Sequence, residues 1–247
     1  MKLYVTRYRW SAVLMLAAAA FLSPVSSAMS FDVEPPILYL SGRVVTTDWP
    51  MWERAMARFE LDTIVFGHSP GGDSQTGRRI GNEIRSRGMK TVVAGRCMSA
   101  CANMFLGGVE RQFIKDFSAQ PTVLGYHGTY RRTGEHLDRG VEYFLSMADG
   151  KLTEALAKSF AGIDNRRGAL YFIHRDQRAN DTQALAYFCD GEEADSKRDE
   201  QCKNMAGVDA LSSGILTTWG VRDIPVPSSR PVRRQLDRGP TVKSWRD

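Results

Sequence analysis

Between residues 37 and 127, short apolar runs end repeatedly in a glycine or a polar turn and alternate with stretches of helical spacing. That alternation limits the fold more than any other feature of the chain. Residues 37–42, 63–66, 90–94 and 122–126 read as strands, the second and third rich in β-branched residues. Between the first two, Asp48 and Pro50 open a helical stretch in which Trp49, Trp52, Met56 and Phe59 recur at steps of three and four. Ile80 and Ile84 stand four apart among polar residues, which predicts a half-buried helix over 75–87. Residues 97–106 read as a turn into an apolar helix, and helices are expected over about 140–160 and 166–188. Strands alternating with helices predict an α/β domain with a largely parallel sheet. In such sheets sites collect beyond the carboxyl ends of strands. Three polar features stand there: the loop Ser69-Pro70-Gly71-Gly72, the turn at Ser99, and His127.

The N-terminal residues address the compartment. Lys2, Arg7 and Arg9 precede an apolar stretch over residues 10–22, with no acid before Asp32, and Ser26-Ser27-Ala28 offers the small residues a signal peptidase reads. Residues 1–28 are therefore expected to be a signal peptide cut after Ala28, an uncleaved N-terminal anchor being the alternative. Either way the protein is expected to be exported, to the periplasm or beyond. Removing those residues takes the net charge from +5 to +2. Residues 228–247 hold six Lys/Arg against two Asp, leaving the body at 29–227 near −2. This distribution argues against a nucleic-acid binder, since no basic stripe interleaved with aromatics is present. The basic, proline-containing tail reads as solvated, with peripheral attraction to an anionic membrane or cell-wall polymer as the alternative.

The three strand-end features carry the chemistry. Ser99, at a helix start, suits an N-cap; the same position suits a nucleophile, because unpaired amides there favour the anion formed on attack at a carbonyl. The Pro-Gly-Gly loop is a turn in its plain role, and in a functional one it lets backbone approach a substrate closely. His127 is structural in its plain role and, in a functional one, a general base working near neutral pH.

In this order the features resemble the Clp protease proteolytic subunit and, more broadly, the Clp/crotonase superfamily. The resemblance rests on Ser69-Pro70-Gly71-Gly72, on Gly95-Arg96-Cys97-Met98-Ser99-Ala100-Cys101-Ala102, on Gly107-Gly108 and on Tyr126-His127. It spans roughly residues 38–128 and returns at residues 216–221, which are similar to the segment that closes that fold. It implies a spiral of β-β-α units, with Ser99 as nucleophile, His127 as general base and then acid, and the amides of Gly71 and Ala100 as oxyanion hole. The reaction it implies is hydrolysis of a peptide bond through an acyl-enzyme. A carboxylate should orient the imidazole; Asp176 has the expected separation from His127, and Asp164 and Asp181 compete with it. A serine–lysine dyad is the other arrangement in the superfamily, but neither Lys90 nor Lys115 sits in a recognisable motif. Relatives form rings, so homo-oligomerisation is implied by the resemblance alone.

Cys189 and Cys202 flank a polar stretch and are expected to pair in an exported protein. Cys97 and Cys101 either form a second bridge around Ser99 or stand as buried thiols. The four histidines and the cysteines lack metal-ligand spacing, and no cofactor fingerprint is present, so neither metal nor cofactor is expected. The rival functions are a non-catalytic binding protein on the same scaffold and an esterase or other acyl hydrolase.

Overall fold

A computed structural model describes residues 28–115, 122–131, 133–137, 140–163, 168–177, 181, 183–189 and 202–224. Residues 1–27 of the expected signal peptide, the basic tail over 228–247, Asp164 and the polar stretch 190–201 lie outside the described residues.

The fully buried β-branched run β3 (Thr63–Phe66) sits in the larger sheet between β2 (Ile37–Ser41) and β4 (Lys90–Val93), both parallel to it. β6 (Glu110–Ile114) and β13 (Val221–Arg222) continue the parallel series, and β1 (Ser30–Glu34) closes the other edge antiparallel to β2. Val221 pairs with Phe113, so residues 216–221 do return to close this sheet. The second sheet is mixed: β5 (Arg96–Met98) runs parallel to β7 (Val123–Tyr126). β10 (Ala169–Ile173), β11 (Ala186–Cys189) and β12 (Cys202–Asn204) follow antiparallel. The fold is α/β with mixed, largely parallel sheets.

The chain winds between the two sheets in repeating turns. Each passes along a strand of the larger sheet, makes a short step in the second, and then enters a helix or the site. β3 leads to Ser69, which bridges Cys97, and then to α2 (Ser74–Ser86); β4 leads to β5 and α3 (Ala100–Leu106); β6 leads to β7 and His127. β2 likewise leads through Val44, which bridges Gly72, into α1 (Asp48–Arg58). The short second steps are thereby stacked side by side, and the residues that follow them gather in one place.

Two apolar faces explain the helices. Trp52 and Ala55 of α1 are buried, and Ile80 and Ile84 put α2 against α3, every residue of which is buried. Asp73 starts α2 by accepting the Thr76 amide at 2.7 Å. Close approach of α2 and α3 requires Gly77, where a Cβ would stand 2.6 Å from the Ala100 carbonyl oxygen. Tyr126 ends β7 inside a ring of Phe144, Phe160 and Phe172, all within 6.0 Å between centroids.

Two expectations are corrected. The helix expected over 140–160 is two helices, α4 (Val141–Met147) and α5 (Glu154–Ala161), separated where Asp149 and Gly150 take φ 54° and 73°. The Asp149 carboxylate is held there by buried Arg111 at 2.7 Å and by Arg85 at 3.0 Å. The helix expected over 166–188 is instead β10, a short 3₁₀ turn at Arg175–Gln177 and β11. All five residues of β10 are buried, so its apolar run serves a sheet covered on both faces.

Candidate active site

Ser99 occupies the turn between β5 and α3 with φ 55° and ψ −120°, a conformation that non-glycine residues rarely adopt. Its neighbours Cys97, Met98 and Ala100 are buried, whereas Ser99 itself is half-buried. Its hydroxyl makes no capping hydrogen bond, so the N-cap role expected of a serine here is not the one it plays. The turn is fixed by backbone: the Ser99 amide donates to the Gly125 carbonyl at 2.8 Å and the Met98 amide to the Ser69 carbonyl at 3.0 Å. A disulfide joins Cys97 to Cys101 across it, and a second joins Cys189 to Cys202 between β11 and β12. Both fit an oxidising compartment, and among the described residues no helix is long and apolar enough to cross a membrane.

Gly71 presses against this turn. At φ 81°, it has room for no side chain: a Cβ would lie 2.5 Å from the Met98 oxygen and 2.6 Å from Ser99 Cβ. Its amide, assigned above to an oxyanion hole, donates to Ser69 Oγ at 3.2 Å. The next amide, that of Gly72, has no hydrogen-bond partner among the described residues, and Gly72 lines the cavity that Ser99 opens on. Ala100, first residue of α3, has an amide with no partner within its helix.

That cavity, of about 800 Å³, is lined by Ser99 and His127 together. Its walls are mainly polar, with Val44 and Val45 the aliphatic exceptions. His127 follows β7, and its Nδ1 lies 2.6 Å from the Gly128 carbonyl oxygen. A carbonyl only accepts, so Nδ1 carries the proton and Nε2 keeps its lone pair, the tautomer a general base needs. Burial lowers the His127 pKa, the Gly128 contact opposing it, so the ring is neutral at pH 7. Among the described residues no hydrogen bond joins Ser99 Oγ to His127. The strand pair β8 (Thr129–Tyr130) and β9 (His136–Leu137) extends the wall beyond His127. It is tied to the end of α5 through His136 Nε2 on the Ala161 oxygen, at 2.6 Å, and Tyr130 on the Ile163 oxygen.

Asp176 is not brought to His127. β10 runs antiparallel to β7, with Leu170 beside Tyr126 and Ile173 beside Val123, so residues after Ile173 leave at the end of β7 opposite His127. There Asp176 Oδ2 lies 3.4 Å from Nδ1 of buried His174, whose Nε2 donates to the Trp219 carbonyl at 2.7 Å. Asp181 is exposed and does not line the cavity. None of the groups that shift the His127 pKa is a carboxylate. Lys90 pairs with Asp62 at 3.7 Å and Lys115 with Asp223 at 2.9 Å, so both lysines are engaged elsewhere. Among the described residues no cluster of His, Cys, Asp or Glu could hold a metal ion.

Besides Gly72, the cavity contains Asn103, which sequence reading passed over. It lies one helical turn beyond Ser99 on α3 and is 7% exposed, and its side-chain amide has no hydrogen-bond partner among the described residues. The signal was available, since residues four apart on a helix share a face.

No protein-family model matches the chain, and no curated protein matches it. Solved structures do. One is 1510-N, a membrane-bound stomatin-specific protease, 15% identical with a TM-score of 0.37; the alignment covers 49% of this chain and 66% of that one, just under two thirds. Another is an enoyl-CoA hydratase of Mycobacterium tuberculosis, 12% identical with a TM-score of 0.42, over 77% and 74% of the two chains. A methylmalonyl-CoA decarboxylase is 8% identical with a TM-score of 0.33, over 48% and 54%. The matches are Clp/crotonase-fold proteins.

Proposed function

We propose that the protein is an exported serine hydrolase that cleaves peptide bonds in peptides or proteins, with Ser99 as nucleophile and His127 as its base. The observation that carries this reading is the strained, uncapped Ser99 opening on the same polar cavity as a neutral imidazole of the right tautomer. Backbone strain concentrates where geometry serves chemistry. In the reaction, Nε2 of His127 takes the Ser99 proton as Oγ attacks the carbonyl carbon. The amides of Gly72 and Ala100 stabilise the oxyanion, and His127 returns the proton to the leaving amine. Water then releases the acyl group by the same sequence. The Gly128 carbonyl does the orienting that a carboxylate does in a triad, which makes this a Ser–His dyad. The mainly polar cavity favours an amide substrate over a long-chain acyl ester.

A serine-reactive fluorophosphonate tests the reading. Folded wild type should label, and Ser99→Ala and His127→Ala should each lose labelling at least a hundredfold while keeping the wild-type circular dichroism. A folded wild type that does not label favours a binding protein. That rival has one observation behind it, the absence of a Ser99–His127 hydrogen bond among the described residues.

A further inference from the structure

Acids in the first turn of a helix ordinarily stand in water, where they meet the helix dipole at little cost. Asp48, which opens α1, is instead fully buried. Its Oδ2 accepts the Val45 amide at 2.7 Å, and its Oδ1 is buried with no hydrogen-bond partner among the described residues. Burial, reinforced by the charge of Asp73, pushes its pKa up to about 6, against the smaller opposing influence of the Val45 and Met29 amides. No Lys, Arg or His is paired with it among the described residues. A buried carboxylate with a free oxygen and no counter-ion is costly, and either a proton or a cation must offset that cost.

The Met29 amide lies near enough to this carboxylate to hold its pKa down, short of a hydrogen bond to Oδ1. Met29 is itself 5% exposed and directly precedes β1, whose Ser30 pairs with Ser41, a tie to the segment leading into α1 that cleavage after Ala28 leaves in place. Ala28 is also the last of the three small residues read above as the signal-peptidase site.

We propose that cleavage between Ala28 and Met29 converts the Met29 nitrogen from an amide into an α-ammonium that ion-pairs with Asp48, so that processing itself supplies the missing counter-ion. Water adds across the bond: its hydroxyl goes to the Ala28 carbonyl carbon, which departs as a carboxylate. One proton goes to the Met29 nitrogen, and the free amine takes up a second at neutral pH. A secondary amide has one donor to offer, whereas an ammonium has three and a full charge, enough to engage Oδ1. The pair lies beside the cavity wall. Asp48 anchors Val45; Val44 donates to the Gly71 oxygen at 2.9 Å and accepts from the Asp73 amide at 2.9 Å. Processing would therefore fix the Val44–Val45 wall in the mature protein and leave it looser in the precursor. The inference does not depend on Ser99 being catalytic.

The test begins with the exported full chain. Its N-terminus, by intact mass and sequencing, should be Met29. That protein is compared with the same protein carrying one added alanine before Met29, both released from cleavable fusions. The Met29 form should react with an acetylating N-hydroxysuccinimide ester at its α-amine at least tenfold more slowly than the extended form. It should melt several degrees higher and show slower amide hydrogen exchange over residues 43–48. Asp48→Asn should lower the melting temperature of the Met29 form more than that of the extended form. A different mature N-terminus, equal acylation rates or equal melting temperatures would each overturn the proposal, and the last two need no Asp48 variant to fold.

Discussion

Replacing Ser99 by glycine separates the strain of the turn from the chemistry it presents. At φ 55° and ψ −120° the serine stands in a region costing roughly 1–3 kcal/mol for a residue with a Cβ. Glycine removes that cost but loses about 0.5–1 kcal/mol more backbone entropy on folding. No capping bond is lost, because the Ser99 hydroxyl makes none. The net is a gain of about 1 kcal/mol, which for a domain of this size raises the melting temperature by about 2–4 °C. Ser99→Ala keeps the Cβ and therefore the strain, so it should melt with the wild type; both variants should fail to label with the fluorophosphonate. Asp149→Gly supplies the control. Its φ of 54° predicts the same relief, but its carboxylate holds Arg111, whose side chain is 1% exposed, at 2.7 Å. Asp149 itself is 45% exposed, so the roughly 3–5 kcal/mol of a fully buried broken pair is discounted to about 2–3 kcal/mol. Asp149→Gly should thus lose about 1–2 kcal/mol net while Ser99→Gly gains about 1 kcal/mol. Scanning calorimetry decides: if Ser99→Gly melts at or below Ser99→Ala, the turn is not strained and the leading observation for a nucleophile falls.

Gly71→Ala should cost about 3–4 kcal/mol, combining positive φ with overpacking against backbone that cannot swing away, and should abolish labelling of Ser99; denaturant melts with the probe assay check it. The two disulfides should separate by loop length: paired serine substitution of Cys189 and Cys202 should cost about 3 kcal/mol. The Cys97–Cys101 pair closes a much shorter loop and should cost about 2 kcal/mol, yet lose more of the labelling, as urea titration with parallel probe kinetics would show. Stability should fall as pH drops below about 6.5. Burial lowers the folded-state pKa of His68, His127 and His174, so the unfolded chain takes up protons first. His174→Gln, which keeps a donor for the Trp219 oxygen, should flatten that slope in melting temperatures recorded from pH 7.5 to 6; in the uncleaved chain the raised pKa of Asp48 acts in the opposite direction below about 6.

The parts of this structure legible in the sequence are those set by contiguous residues. β3 is fixed by four β-branched or aromatic residues in a row, and α2 by isoleucines one turn apart among polar residues. The break between α4 and α5 was not legible, because its anchor is an arginine far away in the chain that only tertiary structure brings to Asp149. β10 was misread because five consecutive apolar residues carry no period, so length and propensity alone cannot tell a covered strand from a buried helix. Asp176 failed for a related reason. Separation along the chain says nothing about strand direction, and the antiparallel pairing of β10 with β7 delivers the acid to the wrong end. Ser99 and His127 escaped this ambiguity because β5 and β7 are parallel, so the residues after them emerge on the same side.

Parallel pairing brings the two residues to one edge, but it does not hold a serine in a disfavoured conformation; four constraints around Ser99 do. The disulfide fixes the residues two before and two after it, both of whose cysteines are fully buried. Gly71 fills the space beneath its Cβ, the Gly125 carbonyl takes its amide, and Ser69 holds the Met98 amide one residue earlier. Each alternative conformation of the turn must break at least one buried backbone hydrogen bond, at about 1–3 kcal/mol, or drive Ser99 into the Gly71 backbone. Those costs together exceed a strain of roughly 1–3 kcal/mol, so the serine remains poised without a substrate to hold it. A buried cystine is also closed to reductants, which makes the Cys97–Cys101 bridge a brace for the turn in the folded protein and not a switch acting on it.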